Sequence, residues 1–432
     1  MSRWYSLPMD TYLNLLRKEL RPAMGCTEPA ASALAGAKAA ELLGAKPSSL
    51  TVVTSRDMVK NAMGVGLPNC SLKGIQAAVA LGACGGDTSK GLSILSELSD
   101  EQIACASAIP VSLSIGTDIP SLYIKVVAKR DDHSAVAVIS GEHDRFSYLE
   151  QNGEELLNLP VDTCGTVLAE EDERLVGSAS LAELLDYVKT APQEALDLVL
   201  EAQETNMAIA RHSLDHSYGL SVGRIASEPI GKEPNSLAEA FSLGSAMAAA
   251  ASDARMAGCP LPVIINSGSG NQGITLTVPV AVVASYLKSS EETFARALLL
   301  GQMVGLGLTA RKNRLSALCG AFTAAIGTAC ALVYLLGGEL EEMDRAFNTM
   351  VGNLTGIICD GAKMTCALKI YSCVEAANLA CKLAFRGLSP GNESGIVGKT
   401  SQESMDFLSR ISHEGMEETD KTILSIMLGK QS

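Results

Sequence analysis

The sequence predicts an α+β protein, a predominantly helical domain with a smaller mixed α/β domain beside it. Three observations predict this. Strand-like alternation is confined to about residues 50–175, and helical periodicity runs almost unbroken from Leu181 to the end. Aromatic residues make up only 4% of the chain, while glycine (39 residues) and alanine are plentiful, so closely approaching helices are expected rather than an aromatic-filled sandwich.

Residues 9–44 read as helix. Leu13, Leu16 and Leu20 recur at helical spacing, the chain breaks at Arg21-Pro22, and a second helix runs from about Pro29 to Leu43 and stops at Gly44. Between them lies Gly25-Cys26-Thr27-Glu28-Pro29. Proline suits the first helical turn and Thr27 or Glu28 can cap it, which places Cys26 at a helix N-terminus, where free N–H groups and the helix dipole favour a thiolate. Leu50–Thr54, residues 111–116 and 121–128, Ala135–Ile139 and Phe146–Leu149 alternate like strands, with helical patterns at 71–84 and 100–107. Gly- and Pro-rich loops interrupt the helical half at 257–273 and 386–398, and no internal repeat is evident. The expected organisation is therefore residues 1–45 as N-terminal helices packing on the helical domain, 46–178 as the mixed domain and 179–432 as the helical domain.

Composition excludes several classes. With 47% hydrophobic and 19% charged residues, the 432-residue chain has ample apolar surface to bury and is not disordered. A net charge of −14, with no basic stripe, argues against nucleic acid as a partner. The start, MSRWYSLPMDTYLNLLRKEL, is amphipathic and charged rather than a signal peptide, so a reducing, cytoplasmic setting is expected, with most of the 12 cysteines acting as small buried hydrophobes. Leu315 to Gly338 runs without a charge behind Arg311, Lys312 and Arg314, long enough to span a membrane. Its richness in Ala, Gly, Ser, Thr and Cys, in a chain otherwise patterned for water, favours a helix buried on all sides. No membrane partner is expected.

A few residues could carry chemistry. Asn266-Ser-Gly-Ser-Gly-Asn-Gln-Gly273 is a glycine-rich loop whose N–H groups can form a nest for a small anion such as a carboxylate; an ordinary turn is the alternative. It lacks the lysine of a phosphate-binding P-loop and the spacing of a dinucleotide fingerprint. Arg255, in Ser252-Asp-Ala-Arg-Met256, could clamp a carboxylate, pair with Asp253 or cap a helix end. Cys359 and Cys366 flank Gly361, which puts Cys359 in an entering loop and Cys366 in the first helical turns; Cys373 continues the spacing as a core stripe. The spacing is neither a zinc ribbon nor a ferredoxin pattern, and buried core cysteines are the alternative. His212 and His216 could share a helix face but form no recognised metal motif.

Six segments, in order, carry a resemblance: Gly25–Pro29, Lys60-Asn61 with Gly64 and Pro68, Ser252–Met256, Asn266–Gly273, Ser316–Cys319 and Cys359–Ala362. Together they resemble the L-cysteine desulfidase family, single-chain relatives of the iron–sulfur L-serine dehydratase alpha chain, over about residues 10–428. The resemblance implies a helical catalytic domain with a 4Fe-4S cluster that converts L-cysteine to pyruvate, ammonia and sulfide without pyridoxal phosphate. It implies Cys319, Cys359 and Cys366 as cluster ligands and Cys26 as a separate functional cysteine. The helix-start position makes Cys26 the first choice for the base; a resting ligand to the open iron and a transient sulfur acceptor are the alternatives. Lys363, following Cys-Asp-Gly-Ala, stands where a small residue is usual and is carried as a second catalytic candidate. Thr27, Glu28, Lys60, Asn61, Arg255, Ser267, Ser269, Asn271 and Gln272 are the substrate-binding candidates. The expected partner is a small amino acid, L-cysteine with L-serine as alternative, and the expected assembly a homodimer. The competing classes are a pyridoxal-phosphate lyase and a non-catalytic metal-binding protein.

Overall fold

The computed structural model describes residues 9–68, 70, 72–160, 171–312 and 316–430. Helix α1 (Met9–Glu19) leads through the short strand β1 (Pro22–Ala23) to α2 (Thr27–Leu43), which ends on Gly44 in the left-handed conformation. The mixed domain follows: β2 (Ser49–Thr54), α3 (Arg56–Ala62), α4 (Gly74–Ala83), a 3-10 turn at Thr88–Ser93, α5 (Asp100–Ala108), and strands β3 (Val111–Ile115), β4 (Tyr123–Arg130), β5 (His133–Ser140), β6 (Phe146–Gln151) and β7 (Glu154–Asn158). They form a six-stranded sheet in the order β3-β2-β4-β5-β6-β7, parallel only between β2 and β3. Leu50 and Val52 on β2 and Ile124, Val126 and Ala128 on β4 alternate inward, so one face is sealed. Helix α2 covers that face at β4 and β5 and is itself crossed by α4. The crossing depends on missing side chains: a Cβ at Gly36 would lie 2.3 Å from the Val79 carbonyl oxygen, and one at Gly82 would lie 1.9 Å from that of Ala33. The close helix approach expected from composition is realised here.

The helical body comprises α6 (Glu171–Ser178), α7 (Leu181–Thr190), α8 (Gln193–Asp215), α9 (Val222–Ser227), α10 (Leu237–Met256), α11 (Gly270–Leu287), α12 (Glu291–Arg311), α13 (Gly320–Leu335), α14 (Leu340–Leu354), α15 (Cys366–Ala384), α16 (Ser401–Arg410) and α17 (Met416–Gly429), with β8 (Val263–Ile264) pairing antiparallel to β1. Its core and that of the mixed domain are separate apolar clusters. The architecture is α+β and dominated by helices, as expected.

The boundaries differ in one respect. The N-terminal segment does not pack on the helical body as a unit. Leu13, Leu15, Leu16 and Leu20 of α1 join the helical core, whereas Ala31, Leu34, Ala35 and Ala39 of α2 join the mixed domain. The alanine-rich face of α2 is shaped for close contact with α4, and the aliphatic face of α1 is not. The far end of the chain crosses back: α17 packs on α3, and Leu424 belongs to the mixed-domain core.

Of the uncharged stretch, the described part begins with a loop and becomes α13, whose residues are almost all buried. Among the described residues, the helix long and apolar enough to cross a membrane is instead α12, and most of it is sealed inside the body. Cys84 and Cys105 form a disulfide joining α4 to α5, a pairing not foreseen from the sequence.

Candidate functional site

A cavity of about 100 Å³ lies where the mixed domain meets the helical body. Four pieces of chain supply most of its walls. The first is the start of α2. Cys26 is the N-cap residue, and its thiol donates to Glu28 Oε2 at 2.8 Å. Thr27 Oγ1 donates to the Gly268 carbonyl at 2.9 Å, which ties this turn to the glycine-rich loop. Asn61, on α3, donates to Glu28 Oε1 at 2.9 Å.

The surroundings of Cys26 work against the expected thiolate. Burial raises the thiol well above its usual range, and the Glu28 charge raises it further, against a smaller opposing pull from Arg255. Cys26 makes no side-chain capping bond to the helix N–H groups, so the helix start does not supply the stabilisation expected of it. Burial alone would raise Glu28 too, but the facing His143 imidazole and the Cys26 thiol outweigh it and hold the carboxyl at about 2. Glu28 is ionised and is the only carboxylate among the residues lining the cavity.

The second piece is the loop ahead of α11. Ser267 (φ 52°) and Gly268 (φ 77°) are successive left-handed residues, and Ser269 caps α11 by accepting from the Gln272 N–H. Asn266 anchors the loop by donating to Gln302 Oε1 at 2.7 Å. Ser267, Ser269, Asn271 and Gln272 all line the cavity. Gln272 Oε1 accepts from Thr309 at 3.1 Å, and Asn271 Oδ1 from Ser252 at 3.3 Å, so both amides are oriented.

The third piece is Arg255, in the last turn of α10. It is 3% exposed, lines the cavity, and has no hydrogen-bond acceptor or acid partner among the described residues. Asp253 does not pair with it, because its carboxylate accepts the N–H groups of Leu220 and Gly223 at the start of α9. A Cβ at Gly270 would sit 2.4 Å from Arg255 Nε, so glycine there leaves room for the guanidinium.

The fourth piece carries the cysteines. Cys319 caps α13 and Cys366 opens α15. The Cys359 N–H donates to the Ala317 carbonyl at 2.6 Å and the Cys319 N–H to that of Ile357 at 3.2 Å, an antiparallel bridge that sets two cysteines side by side. Gly361 (φ 94°) turns the chain from Cys359 toward Cys366, and a Cβ there would collide with the Lys60 carbonyl at 2.0 Å. All three thiols are unpaired and line the cavity. Burial, together with the like charges of Cys359 and Cys366, pushes Cys319 up to about 12. Such crowded thiols ionise together only beside a positive centre. Among the described residues no three His, Cys, Asp or Glu side chains converge closely enough for a single metal ion. A multinuclear cluster is wider than one ion, and three unlinked thiols around one enclosed cavity fit such a group.

Two expected residues lie off the cavity wall. Lys60 is 1% exposed, but its amine is ion-paired to Asp420 and faces Asp57 at 3.7 Å; a buried ammonium with two acids is spoken for. Lys363 turns its amine to the Asp360 carbonyl, so the departure noted at this position adds nothing to the wall. The titratable lining residues that sequence reasoning missed are His143, Lys312 and Lys369. Lys369 pairs with Asp360, and Lys312 donates to the Leu318 carbonyl at 3.4 Å. Lys312 stands just before the uncharged stretch, a signal read only as a membrane flank. His143 sits in an acidic turn that gives no such signal. His212 and His216 stack on each other at 4.0 Å between ring centroids, away from this cavity.

Residues 89–425 match the family model described as serine dehydratase alpha chain. A UPF0597 protein of Oleidesulfovibrio alaskensis is 41% identical over 97% of this chain and 98% of its own length. UPF0597 proteins of Parabacteroides distasonis (38% identical, 98% of this chain, 100% of the relative) and Aeromonas hydrophila (36%, 97% and 96%) are similar over the same extent.

Proposed function

We propose, from the premise that the chain belongs to the serine dehydratase alpha chain family, that it is an iron–sulfur lyase that eliminates the β-substituent of a small amino acid, with L-cysteine as substrate and pyruvate, ammonia and sulfide as products. One observation carries this reading: a buried arginine without an acid and three unpaired cysteines open onto the same cavity. Cys319, Cys359 and Cys366 would hold a 4Fe-4S cluster. Three protein ligands leave one iron available as a Lewis acid for the β-substituent, and a soft thiolate suits it better than a hydroxyl.

The remaining residues fit a zwitterion. Arg255 and the N–H groups of the Ser267–Gln272 turn receive the carboxylate, as helix starts and bidentate guanidinium groups do. Glu28 offers its charge to the α-ammonium, with Asn61 and Thr27 fixing its side of the cavity. The two ends of the substrate thereby set Cα and Cβ in place, and enclosure between the two domains keeps water from competing for these charges. Loss of the Cα proton and the β-substituent leaves aminoacrylate, which hydrolyses to pyruvate and ammonia.

L-serine dehydration at the same residues is the second reading, favoured by the description of the family. Pyruvate formation by oxygen-free, iron-reconstituted protein, measured as initial rates on L-cysteine and L-serine, tests both. A higher kcat/KM for L-cysteine is expected. A higher value for L-serine selects the dehydratase, and no pyruvate from either overturns the lyase reading.

A further inference from the structure

The residue that takes the Cα proton is open once Cys26 is a thiol bonded to Glu28. His143 lies in the turn between β5 and β6, and its neighbours staple that turn from outside. Glu142 pairs with Lys18 at 3.3 Å and Asp144 with Arg21 at 2.6 Å, at the two ends of the link between α1 and β1. Held on both sides, the imidazole faces inward, 6% exposed, on the cavity wall. Its Nε2 is buried without a hydrogen-bond partner and stands 3.9 Å from Glu28 Oε1, too far for a hydrogen bond and close enough to feel the charge. A buried nitrogen left without a partner costs stability, and such atoms persist where a reaction needs them.

Three other titratable groups on the wall have partners. The Cys26 thiol donates to Glu28, Lys369 pairs with Asp360, and Lys312 donates to the Leu318 carbonyl beside the cysteines. Arg255 offers a guanidinium, which donates hydrogen bonds and has no acceptor.

We propose that His143 is the catalytic base of this site, that Glu28 stabilises the imidazolium it becomes, and that the mixed domain thereby contributes the proton-transfer residue to a site whose cysteines come from the helical body; the proposal rests on the lyase reading above. The Cα–H bond breaks and its proton goes to Nε2. The electron pair becomes the Cα–Cβ double bond, and the Cβ–S bond breaks with its pair leaving on sulfide. The imidazolium then returns its proton to the departing sulfide or to water, and no oxidant or reductant is needed.

The test uses oxygen-free holoenzyme with L-cysteine. His143→Gln should keep its iron and a KM within a few-fold of wild type while kcat falls by about 100-fold or more, the usual worth of a positioned base. Added imidazole should restore part of the His143→Ala rate, which a purely structural role would not allow. A Gln variant whose kcat stays within threefold of wild type overturns the proposal. So does an Ala variant that imidazole leaves unchanged and whose KM rises in proportion to its loss of kcat/KM, since that describes a binding role. Wild-type protein that forms no pyruvate from L-cysteine or L-serine overturns the lyase reading and the proposal with it.

Discussion

Two sets of cysteines in the helical body contrast. Cys319, Cys359 and Cys366 sit in a loop and at two helix starts and open onto the cavity, whereas Cys330, Cys373 and Cys381 lie mid-helix and are sealed in the core. The residue type is the same and burial is comparable for Cys319 and Cys373, at 6% and 0%. What differs is the backbone. A helix interior fixes its side chains against neighbouring helices, while a helix start reached through a glycine turn can aim a thiol at empty space. Two of the buried cations, Lys60 and Arg255, repeat the contrast. Lys60 is enclosed with two acids and serves the fold, and Arg255 is enclosed with none and faces the cavity. For these two cations burial does not separate the roles; the presence or absence of an acid partner does.

The largest expected effect on turnover in this comparison breaks its cation half. Arg255→Ala should lower kcat/KM by roughly 100-fold, mostly through KM, because it removes a charge-assisted partner of the substrate carboxylate. Arg255→Lys, which cannot form the planar fork, should recover only part. Steady-state kinetics on both variants check this, and wild-type KM in both would place Arg255 with Lys60 as a structural cation.

Asp420→Asn strikes the sealed cation. Asp420 pairs with Lys60 and also accepts the Ala317 N–H at 2.8 Å, so it links α17 to the segment leading into Cys319. Leaving Lys60 with Asp57 alone should cost about 2 kcal/mol in denaturant unfolding. An unchanged midpoint would show that Asp57 suffices.

Glu28 makes the comparison depend on pH. Its folded-state value of about 2 lies below the ordinary 4.5, so it contributes stability that is fully present above pH 4.5 and lost as pH falls through 2. The contribution is on the order of 3 kcal/mol. Glu28→Gln should therefore flatten the loss of stability between pH 4.5 and 2, which acid titration of the unfolding midpoint would show. An equally steep acid limb in the variant would contradict the assignment. The smallest effect sharpens the cysteine contrast: Cys373→Ala should cost about 1 kcal/mol of stability and leave turnover unchanged, as trimming a small buried group does.

Much of this was legible in the sequence because it rests on local chemistry. Strands β2 to β6 of the mixed domain, the end of α2 at Gly44, the glycine-rich loop before α11 and the loop-then-helix placement of Cys359 and Cys366 follow from residues within a few positions of one another. What was not legible depends on distant partners. Lys60 finds Asp420, 360 positions away, and its candidate role at the cavity disappears with that pairing. His143 gains its place only because Lys18 and Arg21 hold the turn around it. The same holds for Cys26: its helix start is a local signal, but the burial and the neighbouring carboxylate that oppose a thiolate there come from the fold. The parting of α1 from α2 depends on which core each face meets, and spacing within a helix does not encode that.

The most direct test of the contrast between the two cysteine sets is the iron content and visible absorption of oxygen-free wild-type, Cys366→Ala and Cys373→Ala proteins after the same reconstitution. The account predicts about four irons per chain and a broad shoulder near roughly 400 nm for wild type and Cys373→Ala, with both lost in Cys366→Ala. Iron-replete Cys366→Ala protein, or wild type that takes up no iron, would contradict it.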